Sequence, residues 1–338
     1  MSAPSLRVQP LSIRQVTVFG GSGFVGTQVV RALARLGYRV RVGVRRPHLA
    51  FDLRPLGDVG QIQPERCDIR NREDVARLVS GSDAVVNLVG ILHEGPGRKF
   101  RALQVDGAVN IAEACRDAGI TRLVQISAIG ADEGSDSAYA ATKGEAERRV
   151  REIVPGAIVI RPSIIFGPKD GFLNRFATLA GFAPALPLID GGHTRFQPVF
   201  VGDVAEAVAR CVSDGALAGR TFELGGPATY SFREILELIM SETGRRRALV
   251  PLPGPVARFI GWKGDLIASV GITPPLTLDQ VKMLARDNVV AEGAEGFEAL
   301  GITPTGLKAV APTYLWRYRR GGQFAARPAP APATPITE

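Results

Sequence analysis

The chain has 338 residues, of which 45% are apolar and 22% are charged, and its formal net charge is +8. This balance is typical of a globular protein with a large core, and no apolar run is long enough for a transmembrane helix or a secretory signal. An acidic-poor N-terminus with Arg7 and Arg14 leaves an organellar presequence open. Three widely spaced cysteines favour a reducing compartment, and three isolated histidines predict no metal site.

The first predicted elements are a buried strand at residues 14–19 and a helix at residues 27–36, which Gly37 ends. Between them, three glycines form a Gly-x-x-Gly-x-x-Gly turn. Such a turn lets the backbone approach a pyrophosphate, and the helix N-terminus offers free N–H groups. A tight turn without a ligand is the alternative. We predict a dinucleotide site that includes Gly20, Gly23, Phe24, Val25 and Gly26.

The second predicted strand, residues 38–44, ends at Arg45 and Arg46 instead of the carboxylate that commonly binds an adenosine ribose. Two guanidinium groups suit a 2′-phosphate, so the sequence favours NADP(H) over NAD(H). Two solvated arginines that bind nothing are the alternative at this position.

Further strands are predicted at residues 61–63, 84–90 and 123–127, and helices at 71–79 and 100–118. Their alternation predicts an α/β fold, a Rossmann-type doubly wound parallel sheet. Asp68 is predicted to accept a hydrogen bond from the adenine amino group, with Ile69 near the ring. Gly90 is predicted to bring backbone close to the cofactor.

Ser127 follows a predicted strand end, where open parallel sheets bind their ligands. Tyr139 and Lys143 share one face of a predicted helix that runs through residue 150. An ammonium group near a phenol lowers the pKa of the phenol, and a serine hydroxyl can hydrogen-bond a reacting oxygen. We therefore predict Ser127, Tyr139 and Lys143 as catalytic residues, with Tyr139 and Lys143 also in contact with the cofactor.

These residues, in this order, resemble the extended or atypical branch of the short-chain dehydrogenase/reductase superfamily. Residues 158–168, 199–205 and 222–227 are similar to later signatures of that branch. Asp203 lies in the second of them and is interpreted as a helix cap without a catalytic part.

Segments 276–290, 300–305 and 314–319 resemble bacterial relatives of the nucleotide-binding accessory subunit of respiratory complex I, alpha subcomplex subunit 9. That resemblance implies a structurally held NADPH and complex I subunits as partners. It implies the cytoplasmic face of a bacterial inner membrane, or the matrix side of a mitochondrion. A free NADP-dependent reductase, dehydrogenase or epimerase, acting on a nucleotide-linked or lipid-like substrate, is the alternative. No nucleic-acid partner is expected.

Three regions are predicted: a Rossmann domain at 13–162, a smaller C-terminal α/β subdomain at 163–322, and a disordered Ala/Pro tail at 325–338. Residues 255–270 predict an amphipathic helix, with the basic run 245–247 just before it. An ordinary core helix and docking onto a partner or an anionic membrane surface are the two interpretations. Its predicted apolar side comprises Val256, Phe259, Ile260, Ile267 and Val270.

Overall fold

The computed structural model describes residues 14–269, 271, 274 and 276–324. The predicted tail at 325–338 and Val270 lie outside the described residues. Within the described part of the chain, no helix combines the length and the apolar character needed to cross a membrane.

Thirteen strands are defined among these residues. They are β1 (Gln15–Phe19), β2 (Arg39–Val44), β3 (Ile62–Arg66), β4 (Ala84–Asn87), β5 (Leu123–Ile126), β6 (Ile158–Pro162), β7 (Ile165–Phe166), β8 (Ala185–Ile189), β9 (Arg195–Phe196), β10 (Val199–Phe200), β11 (Thr221–Leu224), β12 (Tyr230–Ser231) and β13 (Ala248–Leu252). Seven form one parallel sheet in the order β11-β6-β5-β4-β1-β2-β3. The predicted Rossmann-type sheet is confirmed.

Eleven α-helices are defined among the described residues. They are α1 (Phe24–Arg35), α2 (Arg72–Val79), α3 (Gly107–Asp117), α4 (Ala138–Ile153), α5 (Leu173–Phe182), α6 (Val201–Ser213), α7 (Phe232–Thr243), α8 (Gly254–Ser269), α9 (Leu278–Leu284), α10 (Leu307–Val310) and α11 (Pro312–Leu315). Helices α1 and α6 cover one face of the large sheet, and α2, α3 and α4 cover the other. Strand side chains alternate between the two cores, as buried strands require.

The remaining elements surround a third apolar cluster, built mainly from α5, α7 and α11 with β8. Strands β8 and β13 pair in parallel, as do β7 and β10, whereas β9 and β12 are antiparallel. Strand β11 joins the large sheet and α6 packs on α1, although both lie beyond residue 162. The predicted domain boundary at residue 162 stays a prediction. After that residue the chain returns to the large sheet.

Two expectations differ from the structure in detail. The helix predicted at 100–118 begins with a π-helical segment, Arg101–Asp106, before α3. The interpretation of Asp203 as a helix cap is wrong, because its carboxylate instead accepts hydrogen bonds from the Thr305 N–H at 2.5 Å and the Thr305 hydroxyl at 3.0 Å. Asp203 therefore attaches the C-terminal segment to α6.

Candidate functional site

The predicted site residues gather at the carboxyl ends of β1, β4 and β5. The sheet order changes direction between β1 and β4, and such a switch point is where doubly wound sheets bind ligands. The glycine turn follows β1, Gly90 follows β4 and Ser127 follows β5. The fold therefore brings the turn and the candidate catalytic residues to one edge.

The glycines of the turn serve different purposes. Gly20 has a φ of +78°, which favours glycine. A Cβ on Gly26 would lie 2.2 Å from the Gly20 carbonyl oxygen, so close packing of α1 on the turn requires that glycine. At Gly23 the backbone is extended, with φ −76° and ψ 177°, and a Cβ would meet only the Gly20 oxygen at 3.3 Å. The fold alone gives little reason for glycine at position 23.

The N-terminus of α1 has no side-chain cap and no acidic residue in its first turn. Its first N–H groups and its dipole therefore face outward, as an anion site requires. Phe24 lies against Gly167, and Val25 packs against the core beneath α1. The open helix end and the spare room at Gly23 together fit a pyrophosphate.

The adenosine end of the predicted site holds several cations. Arg45 and Arg46 are exposed just after β2. Arg70 donates to the Asp68 carboxylate from Nε at 2.9 and 3.2 Å, from Nη2 at 2.5 Å and from its backbone N–H at 3.1 Å, and these bonds lower the pKa of Asp68. The Ile69 side chain packs toward Gly107 in the core. The predicted adenine contacts of Asp68 and Ile69 stay predictions, and Asp68 already has a partner.

Ser127, Tyr139 and Lys143 are supplied by β5 and α4. The buried Ser127 hydroxyl has no hydrogen-bond partner among the described residues. Lys143 Nζ donates to the Ile126 carbonyl oxygen at 3.1 Å and lies 6.0 Å from the centre of the Tyr139 ring. A Cβ on Gly90 would be 3.3 Å from the same Nζ. An unpartnered hydroxyl beside a buried amine suits a site that handles a polar atom of a ligand.

The pKa values of Lys143 and Tyr139 both differ from the ordinary values of these side chains. Burial lowers the pKa of Lys143 to about 8, although the Glu147 carboxylate opposes the shift. Burial and then the Asp279 carboxylate raise the pKa of Tyr139 to about 12. The pKa of the Tyr139 phenol is therefore raised in this structure, and the lowering expected from Lys143 is not found.

Asp279 was not singled out as a site residue by its sequence context, yet it binds the start of α4. Its carboxylate accepts hydrogen bonds from the Ser137 hydroxyl at 3.0 Å, the Ala138 N–H at 2.8 Å and the Tyr139 N–H at 3.3 Å. Helix α9 thus fixes the turn that carries Tyr139. Ser137 is the N-cap of α4, and a serine at that position is a signal in the sequence. Its partner Asp279, 142 residues away, has no such signal.

Gln104 is a second residue that sequence patterns miss. It lies in the π-helical segment, is 2% exposed, and neither amide atom has a partner among the described residues. That segment packs against α4, and π-helical turns are frequent at functional sites. No helical periodicity in the sequence identifies an unpaired amide of this kind.

Residues 16–225 match the NAD dependent epimerase/dehydratase family. The chain belongs to that family. Two relatives are NADH dehydrogenase [ubiquinone] 1 alpha subcomplex subunit 9, mitochondrial, from Arabidopsis thaliana and Mus musculus. They are 33% and 34% identical, over 90% of this chain and 78% and 80% of theirs.

Another relative and a solved structure are also similar to this chain. A ceramide reductase from Caulobacter vibrioides is 31% identical over 77% of this chain and 80% of its own. The solved structure of MoeE5 in complex with UDP-glucose and NAD is 20% identical, covers 89% of this chain and 97% of its own, and has a TM-score of 0.66. The predicted resemblance is confirmed, and the family to which the chain belongs is described as NAD dependent. The predicted cofactor-binding residues stay predictions. The preference for NADP(H) stays a prediction.

Proposed function

We propose that this protein is an NADPH-binding accessory subunit or assembly factor of respiratory complex I, with the cofactor held structurally. The observation that carries the proposal is the similarity to alpha subcomplex subunit 9, which extends over 90% of the chain and includes its C-terminal third. The proposed location is the cytoplasmic face of a bacterial inner membrane, or the matrix side in a eukaryote.

The cofactor proposed for this family member is NADP(H), with its 2′-phosphate against Arg45 and Arg46. Both side chains are exposed, and neither forms an ion pair with a carboxylate in the described part of the chain. Removing one charge-assisted pair costs about 1.5–3 kcal/mol. We expect Arg45→Ala/Arg46→Ala to weaken NADPH binding while leaving NADH binding unchanged, measured by fluorescence titration. Equal affinity of the unmutated protein for NADPH and NADH would contradict the preference.

The residues of the site fit a dinucleotide, since the helix end is uncapped and Gly23 leaves room for a phosphate. A bound nicotinamide would supply hydride transfer. Lys143, beside Gly90, would orient the ribose end of the cofactor, and Tyr139 would hold or release the proton. The unpartnered Ser127 hydroxyl would bind the reacting oxygen.

This complete set favours a second candidate function, a free NADP-dependent reductase, dehydrogenase or epimerase. The similarity to a ceramide reductase supports a lipid-like substrate for it. We prefer the scaffold, because the similarity to the complex I subunit covers 90% of the chain and the similarity to the ceramide reductase covers 77%.

Contact with an anionic membrane surface is a further part of the proposal. The large apolar side chains of α8 are exposed, including Phe259 (55%) and Trp262 (56%), and the Lys263 ammonium lies 4.8 Å from the Phe259 ring centre. An outward face of apolar, aromatic and basic residues is typical of interfacial helices.

The proposal is tested by affinity purification of the native protein. It should co-purify with the NADH:quinone oxidoreductase and carry NADPH that does not exchange during isolation. Tyr139→Phe should leave complex I assembly intact, whereas Gly23→Val should impair it, because a scaffold needs the bound cofactor and not the proton of the phenol. Unchanged assembly after deletion of the whole chain, together with NADPH turnover that Tyr139→Phe abolishes, would favour the free enzyme instead.

A further inference from the structure

A group of cationic side chains lies where the loop after β4 meets the segment joining α8 and α9. Arg98 closes a tight turn, in which Gly95 and Arg98 exchange two backbone hydrogen bonds of 3.0 Å. Arg175, from α5, donates to Gln280 Oε1 at 3.5 Å and to the Pro274 carbonyl oxygen at 3.2 Å. Segments separated by up to 188 residues therefore converge here, since Gln280 also donates to the Leu92 carbonyl oxygen.

The charges of both arginines act on the imidazole of His93. Arg98 Nη2 is 3.3 Å from His93 Nε2, and because a guanidinium only donates, the imidazole nitrogen must accept. His93 is therefore neutral in this arrangement. Burial, and then the charges of Arg98 and Arg175, lower its pKa. Both guanidinium groups thus act on the same ring.

Three carboxylates near this group bind groups other than the two arginines in the described part of the chain. Glu94 accepts from the Phe100 N–H and from Lys99, Asp265 accepts from the Leu278 N–H, and Asp279 holds the start of α4. In the described part of the chain, neither Arg98 nor Arg175 has a carboxylate partner, and both side chains are half-buried. Burial lowers the pKa of Arg175, as expected for a cation without a counterion.

We propose that Arg98 and Arg175 form a binding site for the anionic group of a ligand, a phosphate or a phosphodiester. A guanidinium fork matches the geometry of such a group, and several donors on each arginine have no partner among the described residues. The site adjoins the candidate catalytic residues, since Gln280 follows Asp279, which binds the Tyr139 N–H. The proposal depends on the proposed function in one respect: it names the class of ligand that the candidate functional site would bind.

Two sources of such a group fit the surroundings. Ala268, in the last turn of α8, has its carbonyl oxygen 3.6 Å from a Cβ placed on Gly95, so α8 adjoins the turn that carries Arg98. A lipid phosphate would place its chains along the exposed apolar residues of α8, whereas a soluble phosphate ester would occupy the arginines alone. The chemistry at the arginines is the same in both cases.

The test uses full-length protein saturated with NADPH, so that the nucleotide site is closed to the probe. Sulfate is a tetrahedral dianion whose charge is constant near neutral pH, and sodium chloride of equal ionic strength is the reference. NMR follows the three imidazoles of the chain, with His93→Gln providing the assignment. We expect sulfate to raise the pKa of His93 and to leave His48 and His193 unchanged.

Arg98→Gln and Arg175→Gln should each weaken the sulfate effect by about tenfold or more, because each removes a charge-assisted contact. The matched control is Arg39→Gln, an exposed arginine in β2, which should leave the effect within about twofold. Arg98→Lys and Arg175→Lys, which keep the charge but not the fork, replace any glutamine variant that melts early. The proposed site is overturned if sulfate does not raise the pKa of His93 in the wild type. It is also overturned if the pKa rises as much in the Arg98 and Arg175 variants as in the wild type.

Monomeric dihexanoyl phosphatidylglycerol and glycerol phosphate distinguish the two sources. Tighter binding of the lipid supports a lipid headgroup, and equal binding supports a soluble phosphate. Failure of both to bind overturns the proposal. NADPH affinity is measured in the same samples and should not change in the Arg98 and Arg175 variants, so the proposed cofactor and this anion site fail separately.

Discussion

At the scale of single residues, the glycine turn separates what the fold needs from what a ligand needs. A side chain at Gly26 would overlap the Gly20 oxygen, and one at Gly21 would lie 2.5 Å from a Val42 methyl group. Gly23 has neither constraint. A glycine that packing does not require, at an uncapped helix end, indicates a position that a ligand approaches.

The first prediction compares Gly23→Val with Gly26→Ala. We expect Gly23→Val to abolish NADPH binding while its free energy of unfolding falls by no more than about 1–2 kcal/mol, because valine can adopt the extended backbone there but is a poorer N-cap than glycine. Gly26→Ala should destabilise the domain by about 1–3 kcal/mol, because its methyl group must displace backbone. Urea denaturation and NADPH titration measure both effects. Wild-type affinity in a stable Gly23→Val protein would make that glycine merely structural.

The second prediction concerns Lys143, which is 4% exposed and has a pKa lowered to about 8. Between pH 8 and about 10.4, the unfolded chain keeps a proton on this lysine that the folded chain has released. Stability therefore rises with pH in that window, and the burial cost is complete below pH 8. Relative to Lys143→Met, the wild-type free energy of unfolding should increase by about 1–3 kcal/mol from pH 7 to pH 9.5.

Chemical denaturation of both proteins at the two pH values makes the measurement. Lys263→Met, at a position on the exposed helix α8, is the control. The free energy of unfolding of the wild type relative to this variant should not rise between the two pH values. Parallel curves for wild type and Lys143→Met would show that the amine is not desolvated as the structure indicates.

At the scale of elements, α4 is held from outside the first sheet. Its partner Asp279 belongs to α9. Lys282 of the same helix donates to the Asp136 carbonyl oxygen, and Arg286, two residues after the helix ends, donates to Asp136 Oδ1. The start of the helix that carries Tyr139 and Lys143 is therefore ordered by a segment more than 130 residues later.

The third prediction is that Asp279→Asn lowers the free energy of unfolding by about 1–2 kcal/mol, because charge-assisted bonds to the start of α4 are lost. Asp132→Asn is the matched control, since Asp132 receives one bond from the nearby Gly134 N–H in an exposed turn. It should change the stability by less than about 0.5 kcal/mol. Equal stability of the two variants in urea denaturation would remove the proposed role of Asp279.

At the scale of the whole molecule, helix α8 buries small residues and exposes large apolar side chains, which is the reverse of a core helix. Its small residues Ala257, Gly261 and Gly264 are buried, and a Cβ on Gly264 would lie 1.8 Å from the Leu276 oxygen. Val256, Phe259, Ile260 and Ile267 remain 38–55% exposed. The interpretation as an ordinary core helix is therefore wrong for the large side chains, which are exposed in the structure.

The fourth prediction tests that face with vesicles rich in phosphatidylglycerol. Phe259→Ser/Trp262→Ser should reduce co-sedimentation several-fold without lowering the melting temperature, because both side chains are exposed. Val59→Ser, fully exposed elsewhere on the surface, is the control and should bind as wild type does. Binding that is equally strong in the double variant would assign the membrane contact elsewhere. Higher salt should weaken the wild-type binding.

The sequence by itself determined the parallel sheet, the glycine turn and the Ser127, Tyr139 and Lys143 set, because these depend on local periodicity and short spacings. It also showed the amphipathic character of α8, but not which side is buried. Only the tertiary structure decided that small residues face inward there, that Asp279 binds the start of α4, and that Arg98, His93 and Arg175 converge. The bonds of Asp279 to Ser137 and of Arg175 to Gln280 join residues 142 and 105 positions apart. No local pattern encodes which distant side chain will complete a hydrogen bond or shift a pKa.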